Sequence, residues 1–428
     1  MTSEIKQRIK QIRNGEVPKG YKRTRAGIMP CDWCTQKEYK AKDIFYSVSN
    51  KNHNGDYEVL SATQDRGVIP RSQVDIDIKY DDANTSGYKM VDKGDFVISL
   101  RSFQGGIEYS EYTGLVSPAY TVLKPRVSIC DEYYKSYFKT NDYISRLNKG
   151  TYGIRDGKQV GFKDFGEMTI HFPPLPEQQR IAKILSTQDK VIECYEKKIQ
   201  QLKRMKKYYL QNMFPKRGES VPKIRFKGFP DPWEQQKLAD IYQKIGNAFF
   251  GTATPYYVKN GHFYLESNNV KDGQINYTTK VFINDEFYEN QKDKWLHTGD
   301  IVMVQSGHVG HAAVIPKELD NTAAHALIMF RNPKTKIEPY FLNYQYQTNN
   351  AKKKIESITT GNTIKHILAS DMQEFVVDVT SYEEQSNIVG VFQQLDTLIT
   401  LHQRKLEEEK KKKKALQQLL LTGIVRTN

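Results

Sequence analysis

One feature restricts this 428-residue chain more than any other: it repeats itself once, at long period. Val17-Pro18-Lys19 and Trp33 recur as Val221-Pro222-Lys223 and Trp233, and Gly94-Asp95-Phe96-Val97-Ile98 recurs as Gly299-Asp300-Ile301-Val302-Met303. Glu177-Gln178, Ile181, Leu185, Asp189 and Ile192 recur as Glu384-Gln385, Ile388, Phe392, Asp396 and Ile399. A shared frame with a drifting offset means one scaffold used twice, with insertions in its loops. Each half reads as a Val-Pro-Lys opening, a mixed region of strands and short helices, a boundary, and one long helix. The boundaries are Phe172-Pro173-Pro174-Leu175-Pro176 and Val379-Thr380-Ser381. Proline is excluded from helix interiors, so the first long helix begins after Pro174 or at Pro176. Ser381 stands three residues before Glu384, the spacing of a capping box. The segment Glu4 to Lys10 precedes the first Val-Pro-Lys, where the other half has the helix tail Leu202 to Phe214. The N-terminus is therefore expected to be a helical tail cut from its repeat, with the chain ends together and a pseudo-twofold axis between the halves.

The long helices carry a seam. A 3-4 spacing picks out Leu185, Gln188, Ile192, Tyr195, Ile199, Leu202, Lys206, Tyr209 and Met213. The same frame 207 residues on picks out Phe392, Leu395, Ile399, His402, Leu406, Glu409, Lys413, Leu416 and Leu420. An average spacing of 3.5 residues is that of a coiled coil. A helix over 177–214 would be ~57 Å long at ~1.5 Å per residue. An antiparallel pair of that length is expected to act as a ruler between the two mixed regions. Lys206, Glu409 and Lys413 interrupt the seam, as if the pairing frayed there or a partner covered it.

Residues 20–172 and 223–379 read as α+β regions, with strands near Phe96 to Leu100, Tyr120 to Leu123, Ile301 to Val304 and Leu327 to Phe330. Helices are expected at Glu132 to Asn148 and Glu338 to Ile358. The corresponding segments are 1–172 for the N-terminal segment and first mixed domain, 173–217 for the central helix, 218–379 for the second mixed domain and 380–428 for the distal helix. The chain carries 64 Lys and Arg against 50 Asp and Glu, a formal +14, which favours a polyanionic partner. Hydrophobic residues are 38% of the chain. No run of 18 apolar residues occurs, the segment Met1 to Arg13 is charged and lacks an apolar stretch, and four cysteines do not make a disulfide scaffold. A cytoplasmic protein is expected.

Loops following the paired strands are the candidates for base reading: Arg101, Ser102 and Gln104 in the first half, Gln305, Ser306 and His308 in the second. A second pair of loops supplies Arg155 and Lys158, and Asn362, Thr363 and Lys365. Arg pairs with guanine and Gln with adenine through two hydrogen bonds, each worth ~1–3 kcal/mol of discrimination. Two copies of a scaffold with different loops should read two different short sequences.

Catalytic signatures are missing. Cys31-Asp32-Trp33-Cys34 lacks a second cysteine pair for zinc, and His308-Val309-Gly310-His311 has no carboxylate in its loop. Gly153 to Lys158 is one residue short of a phosphate loop and is followed by Gln159. Arg331-Asn332-Pro333-Lys334 lacks the second proline and aromatic of an adenine methyltransferase. Asp75-Ile76-Asp77-Ile78-Lys79 matches half a nuclease site. No metal site and no catalytic activity of its own are expected.

On these residues the chain resembles the specificity subunit of type I restriction-modification systems. The resemblance runs over nearly the full length. It is carried most specifically by Pro173-Pro174-Leu175-Pro176-Glu177-Gln178-Gln179-Arg180-Ile181-Ala182, by the degenerate copy Tyr382-Glu383-Glu384-Gln385, and by Trp233-Glu234-Gln235-Gln236-Lys237-Leu238 after Phe229-Pro230. It implies two target-recognition domains separated by an antiparallel helical pair, each domain binding half of an asymmetric bipartite DNA site. It also implies two methyltransferase subunits that use S-adenosylmethionine, and restriction subunits that use ATP and Mg2+, around a non-catalytic core. Two other readings are an architectural coiled-coil protein that binds nucleic acid without sequence preference and a stand-alone enzyme on DNA, such as a nuclease.

Overall fold

The structure, a computed structural model, describes residues 2–34, 38–74, 85–149, 160–361 and 365–427. The chain divides into two compact units, Met1–Tyr195 with Lys405–Asn428, and Glu196–Arg404. Each unit thus contains part of both long helices.

In the first unit, α1 (Ser3–Arg13) leads into the first α+β domain. Its central sheet comprises β1 (Phe45–Val48), β2 (Phe96–Ile98), β3 (Glu108–Tyr109) and β4 (Thr121–Pro125). The order is β1-β4-β2-β3, all antiparallel, with Leu123 opposite Phe96 and Phe96 opposite Tyr109. A short helical turn, α2 (Ser102–Gly105), joins β2 to β3. The expected helix at 132–148 is two helices, α3 (Asp131–Tyr137) and α4 (Asn141–Lys149), with Thr140 between them accepting the amide of Tyr143. Then comes α5 (Leu175–Asn212), 38 residues long.

The second unit repeats the plan. Strands β5 (Tyr242–Asn247), β6 (Ile301–Val304), β7 (Ala312–Val314) and β8 (Leu327–Pro333) pair in the order β5-β8-β6-β7, again all antiparallel. Phe330 stands opposite Ile301 and Ile301 opposite Val314, the register of the first sheet. Helices α6 (Pro339–Tyr346) and α7 (Asn349–Ile358) follow, broken at the capping residue Thr348. The 40-residue α8 (Tyr382–Leu421) closes the chain plan. This unit also has an additional four-stranded sheet formed by 257–258, 262–265, 281–283 and 323–324, with a small core of Tyr264, Ile283 and Phe287.

The strand Ile301-Val302-Met303-Val304 is buried throughout, as a strand covered on both faces must be. Core one joins Phe45, Phe96 and the tyrosines of α3 and α4 to Ile181 and Leu185 of α5 and Leu420 and Leu421 of α8. Core two joins Phe330 and Phe341 to Leu202, Leu210, Phe392 and Leu395. Each α+β domain is therefore built on a helical pair and shares its core with it.

The pair is antiparallel within each unit. In the first, Glu177 bonds Arg426 and Asp189 bonds Lys413; in the second, Lys206 bonds Asp396 at 2.6 Å and Phe214 stacks on Phe392. The seam positions Leu185, Ile199, Leu202, Phe392, Leu395 and Ile399 are buried, and Ile192, Tyr195, Leu406 and Leu416 are half-buried. The charged seam residues do not mark fraying. Lys206–Asp396 and Lys413–Asp189 are one ion pair generated twice by the 207-residue offset, and Glu409 accepts from Gln188.

Candidate nucleic-acid interface

Each unit carries its candidate loop at the β2–β3 or β6–β7 turn. In the first, Arg101, just before α2, and Gln104 on it are exposed. Ser102 is buried, and its hydroxyl accepts the Ser99 amide at 2.8 Å, so it shapes the loop from within. Gly106 has φ +85°, and a Cβ there would meet the Phe138 carbonyl oxygen at 2.1 Å, so only glycine fits. Lys139 anchors the loop by donating to the carbonyl oxygens of Gly105 at 2.9 Å and Gln64 at 3.2 Å, and to the carboxylate of Glu108. Burial pushes the Glu108 carboxyl up to about 7, against the opposing charge of Lys139. A cavity of about 590 Å³ lies here, lined in part by Gln64, Arg66, Gly105, Glu108 and Lys139.

In the second unit the structure brings the 305–311 loop together with the 365–367 segment. The Ile367 amide donates to the Gln305 carbonyl at 3.0 Å, the Gly307 amide to the Lys365 carbonyl at 3.1 Å, and Ser306 pairs with His366. The Gln305 side chain is buried, whereas His308 and Lys365 are exposed and Ser306 is half-buried. Lys365 pairs with Glu356 at 3.6 Å. His311 accepts the Asp272 amide at Nδ1, and burial lowers its pKa, with Asp272 opposing. A cavity of about 510 Å³ opens beside this loop. Arg155, Lys158, Asn362 and Thr363 lie outside the described residues, as do the Gly153–Lys158 loop and the acidic run at 75–79. Among the described residues no group of three His, Cys, Asp or Glu side chains is placed to hold a metal, and no helix is long and apolar enough to cross a membrane.

A clasp that sequence reasoning did not find ties each long helix to its α+β domain. Gln178 accepts the Cys130 amide at the start of α3 and donates to the Pro173 carbonyl; Gln385 accepts the Glu338 amide at the start of α6 and donates to the Thr380 carbonyl. The neighbouring Glu177 takes both Nε and Nη2 of Arg426, and Glu384 takes both of Arg225. Ser381 caps the Glu384 amide as expected from its spacing, but the Glu384 carboxylate goes to Arg225 and Thr380. Trp33 donates to Glu177 at 2.9 Å. The recurrence of Glu-Gln was the available signal; its partners lie far off in sequence. The chain ends do meet in the first unit, where Arg8 and Tyr21 donate to the carbonyls of Ile424 and Gly423.

Two copies of one domain, each grafted on an antiparallel helical pair and differing in its loops, define a protein with two recognition units. The family described as the type I restriction modification DNA specificity domain matches twice, at residues 36–204 and 230–410. The chain belongs to that family. It is 26% identical over 347 residues to the type I restriction enzyme MjaVIII specificity subunit of Methanocaldococcus jannaschii, covering 79% of this chain and 80% of that one. It is 20% identical over 282 residues to the EcoBI specificity subunit of Escherichia coli, covering 62% of this chain and 59% of that one. Its fold matches a chain from a structure on complex assembly and conformational transition of the type I R-M system, with TM-score 0.55, 15% identity and coverage of 96% and 100%. It also matches the type I restriction-modification S subunit from M. genitalium, with TM-score 0.51, 13% identity and coverage of 91% and 96%.

Proposed function

We propose that this chain is the DNA sequence-specificity subunit of a type I restriction-modification complex, reading an asymmetric bipartite site, one half with each recognition domain. The observation that carries this reading is the duplicated sheet of the same strand order whose β2–β3 and β6–β7 loops expose different side chains, Arg101 and Gln104 in one and His308 in the other. Scaffold and phosphate contacts would position the domains; the divergent loops would specify. The chain itself would be non-catalytic and cytoplasmic. It would work with two methyltransferase subunits that use S-adenosylmethionine and with restriction subunits that use ATP and Mg2+. A duplicated docking surface supports two copies of one partner. Ile184 and Val191 are exposed on α5, and their equivalents at the 207-residue offset are the half-buried Val391 and the exposed Leu398 on α8. The ruler role of α5 and α8 belongs to the same proposal.

The test is a base-resolution map of adenine methylation in the host with and without this gene. Loss of one split motif is the expected result, and it yields both half-sites and the spacer. An unchanged map in a host whose methyltransferase subunits are expressed and active would overturn the reading.

A further inference from the structure

We infer that each unit carries a sequence-independent site for a DNA backbone phosphate, centred on Lys207 in one and Lys414 in the other. This rests on the proposed specificity role and names which side chains hold the DNA rather than read it. The reading loops diverge between the halves, but one trio does not. Lys207 and Gln211 of α5 line the second unit's cavity with Asn349, the first residue of α7. Lys414 and Gln418 of α8 line a cavity of about 610 Å³ in the first unit with Asn141, the first residue of α4. The lysines and glutamines correspond at the 207-residue offset and the asparagines at 208.

The chemistry of what binds follows from what is shared. Base edges differ between the two halves of an asymmetric site, so base-reading residues should differ as the loops do. Phosphate and sugar are the same everywhere, so their contacts should be the same in both units. Lys, Gln and Asn are backbone-contacting side chains, a charge with two donors. Net charge in the cavities points the same way. Three of the four acids lining them are already ion-paired: Asp142 with Arg146, Asp189 with Lys413 and Glu356 with Lys365. Lys207 and Lys414 are exposed and make no ion pair among the described residues. Each also closes a basic run, Lys203-Arg204-Met205-Lys206-Lys207 and Lys410 to Lys414, the second of which places Lys410 and Lys413 at the same cavity.

The experiment uses the full chain assembled with its methyltransferase subunits. Binding to a duplex carrying the methylated motif, and to a scrambled duplex, is titrated across a KCl series for wild type, K207Q/K414Q and K207R/K414R. The expected result for the glutamine variant is a log Kd against log salt slope lower by about 1.8, two phosphates at ~0.9 each. Affinity falls by the same factor on both duplexes, the methylated motif is unchanged, and the arginine variant restores the slope. An unchanged slope overturns the inference, as does a loss confined to the cognate duplex. So does failure of the glutamine variant to assemble with its partners, which would mark these lysines as a site for an acidic protein surface. If wild type itself does not prefer the cognate duplex, the specificity reading fails separately from the slope.

Discussion

His171 and Glu108 are both buried in the first unit, and acid acts on them in opposite directions. The His171 ring faces the carbonyl of Leu421 at 2.7 Å from Nδ1 and that of Ala26 at 3.3 Å from Nε2. Burial holds its pKa down to about 4, with Arg146 adding to the shift. The unfolded ring titrates near 6.5, so its contribution is complete above that pH and is lost as pH falls toward 4, on the order of 3 kcal/mol in all. Glu108 is raised to about 7, so its contribution is present below about 4.5 and is lost as pH rises through 7. We expect H171N to remove the acid-side loss and E108Q the alkaline-side loss. The check is hydrogen exchange over residues 131–149 from pH 4.5 to 7.5, compared with wild type; identical pH profiles in all three proteins would contradict both assignments. Arg101, exposed at the N-cap of α2, is expected to read bases. Arg101→Ala should relax one half-site by ~1–3 kcal/mol at one position and leave the other half intact, as seen by methylation of a randomised site library.

At the scale of elements, the first turns of α5 and α8 do the joining. Glu384 is fully buried against Arg225, and Glu177 is nearly so against Arg426. Removing Arg225 strands a buried carboxylate, so Arg225→Ala should cost ~3–5 kcal/mol, whereas the paired change to apolar residues should cost much less. Urea midpoints of the single and double variants test this; additive losses would argue against direct coupling. Removing the last three residues takes Arg426 with it and should loosen the first unit around Trp33. The proposed ruler predicts more: deleting seven residues from each long helix keeps the seam in phase and shortens each helix by ~10 Å. The methylated motif should then keep its half-sites and change its spacer; an unaltered spacer would count against the ruler.

For the whole molecule, duplication explains features that look accidental in either half alone. Two lysines sit on apolar seams because their partner aspartates sit on the other helix at the same offset. The first repeat is completed by chain from both ends, with 405–428 packed into the unit that holds residues 1–195. The formal charge of +14 is a property of this scale too, and it predicts that binding to DNA of any sequence weakens steeply with salt while the ratio of cognate to scrambled affinity changes little.

The sequence by itself determined the repeat, the α+β character, the positions of both long helices and the seam residues. These are legible because proline exclusion and helical periodicity act over a few neighbouring residues. Phe172 to Pro176 fixes where α5 can begin whatever it packs against. The partners of Gln178, Glu177, Lys206 and Lys413 were decided only by tertiary structure, because each lies on an element tens to hundreds of residues away whose register no local pattern encodes. The same holds inside the loops. Ser102 and Arg101 are adjacent and equally polar in sequence, yet one turns inward to Ser99 and the other faces solvent. That choice follows from how α2 sits on α3 and α4, where Gly106 must pass the Phe138 carbonyl, and packing of that kind exists only once the chain has closed on itself.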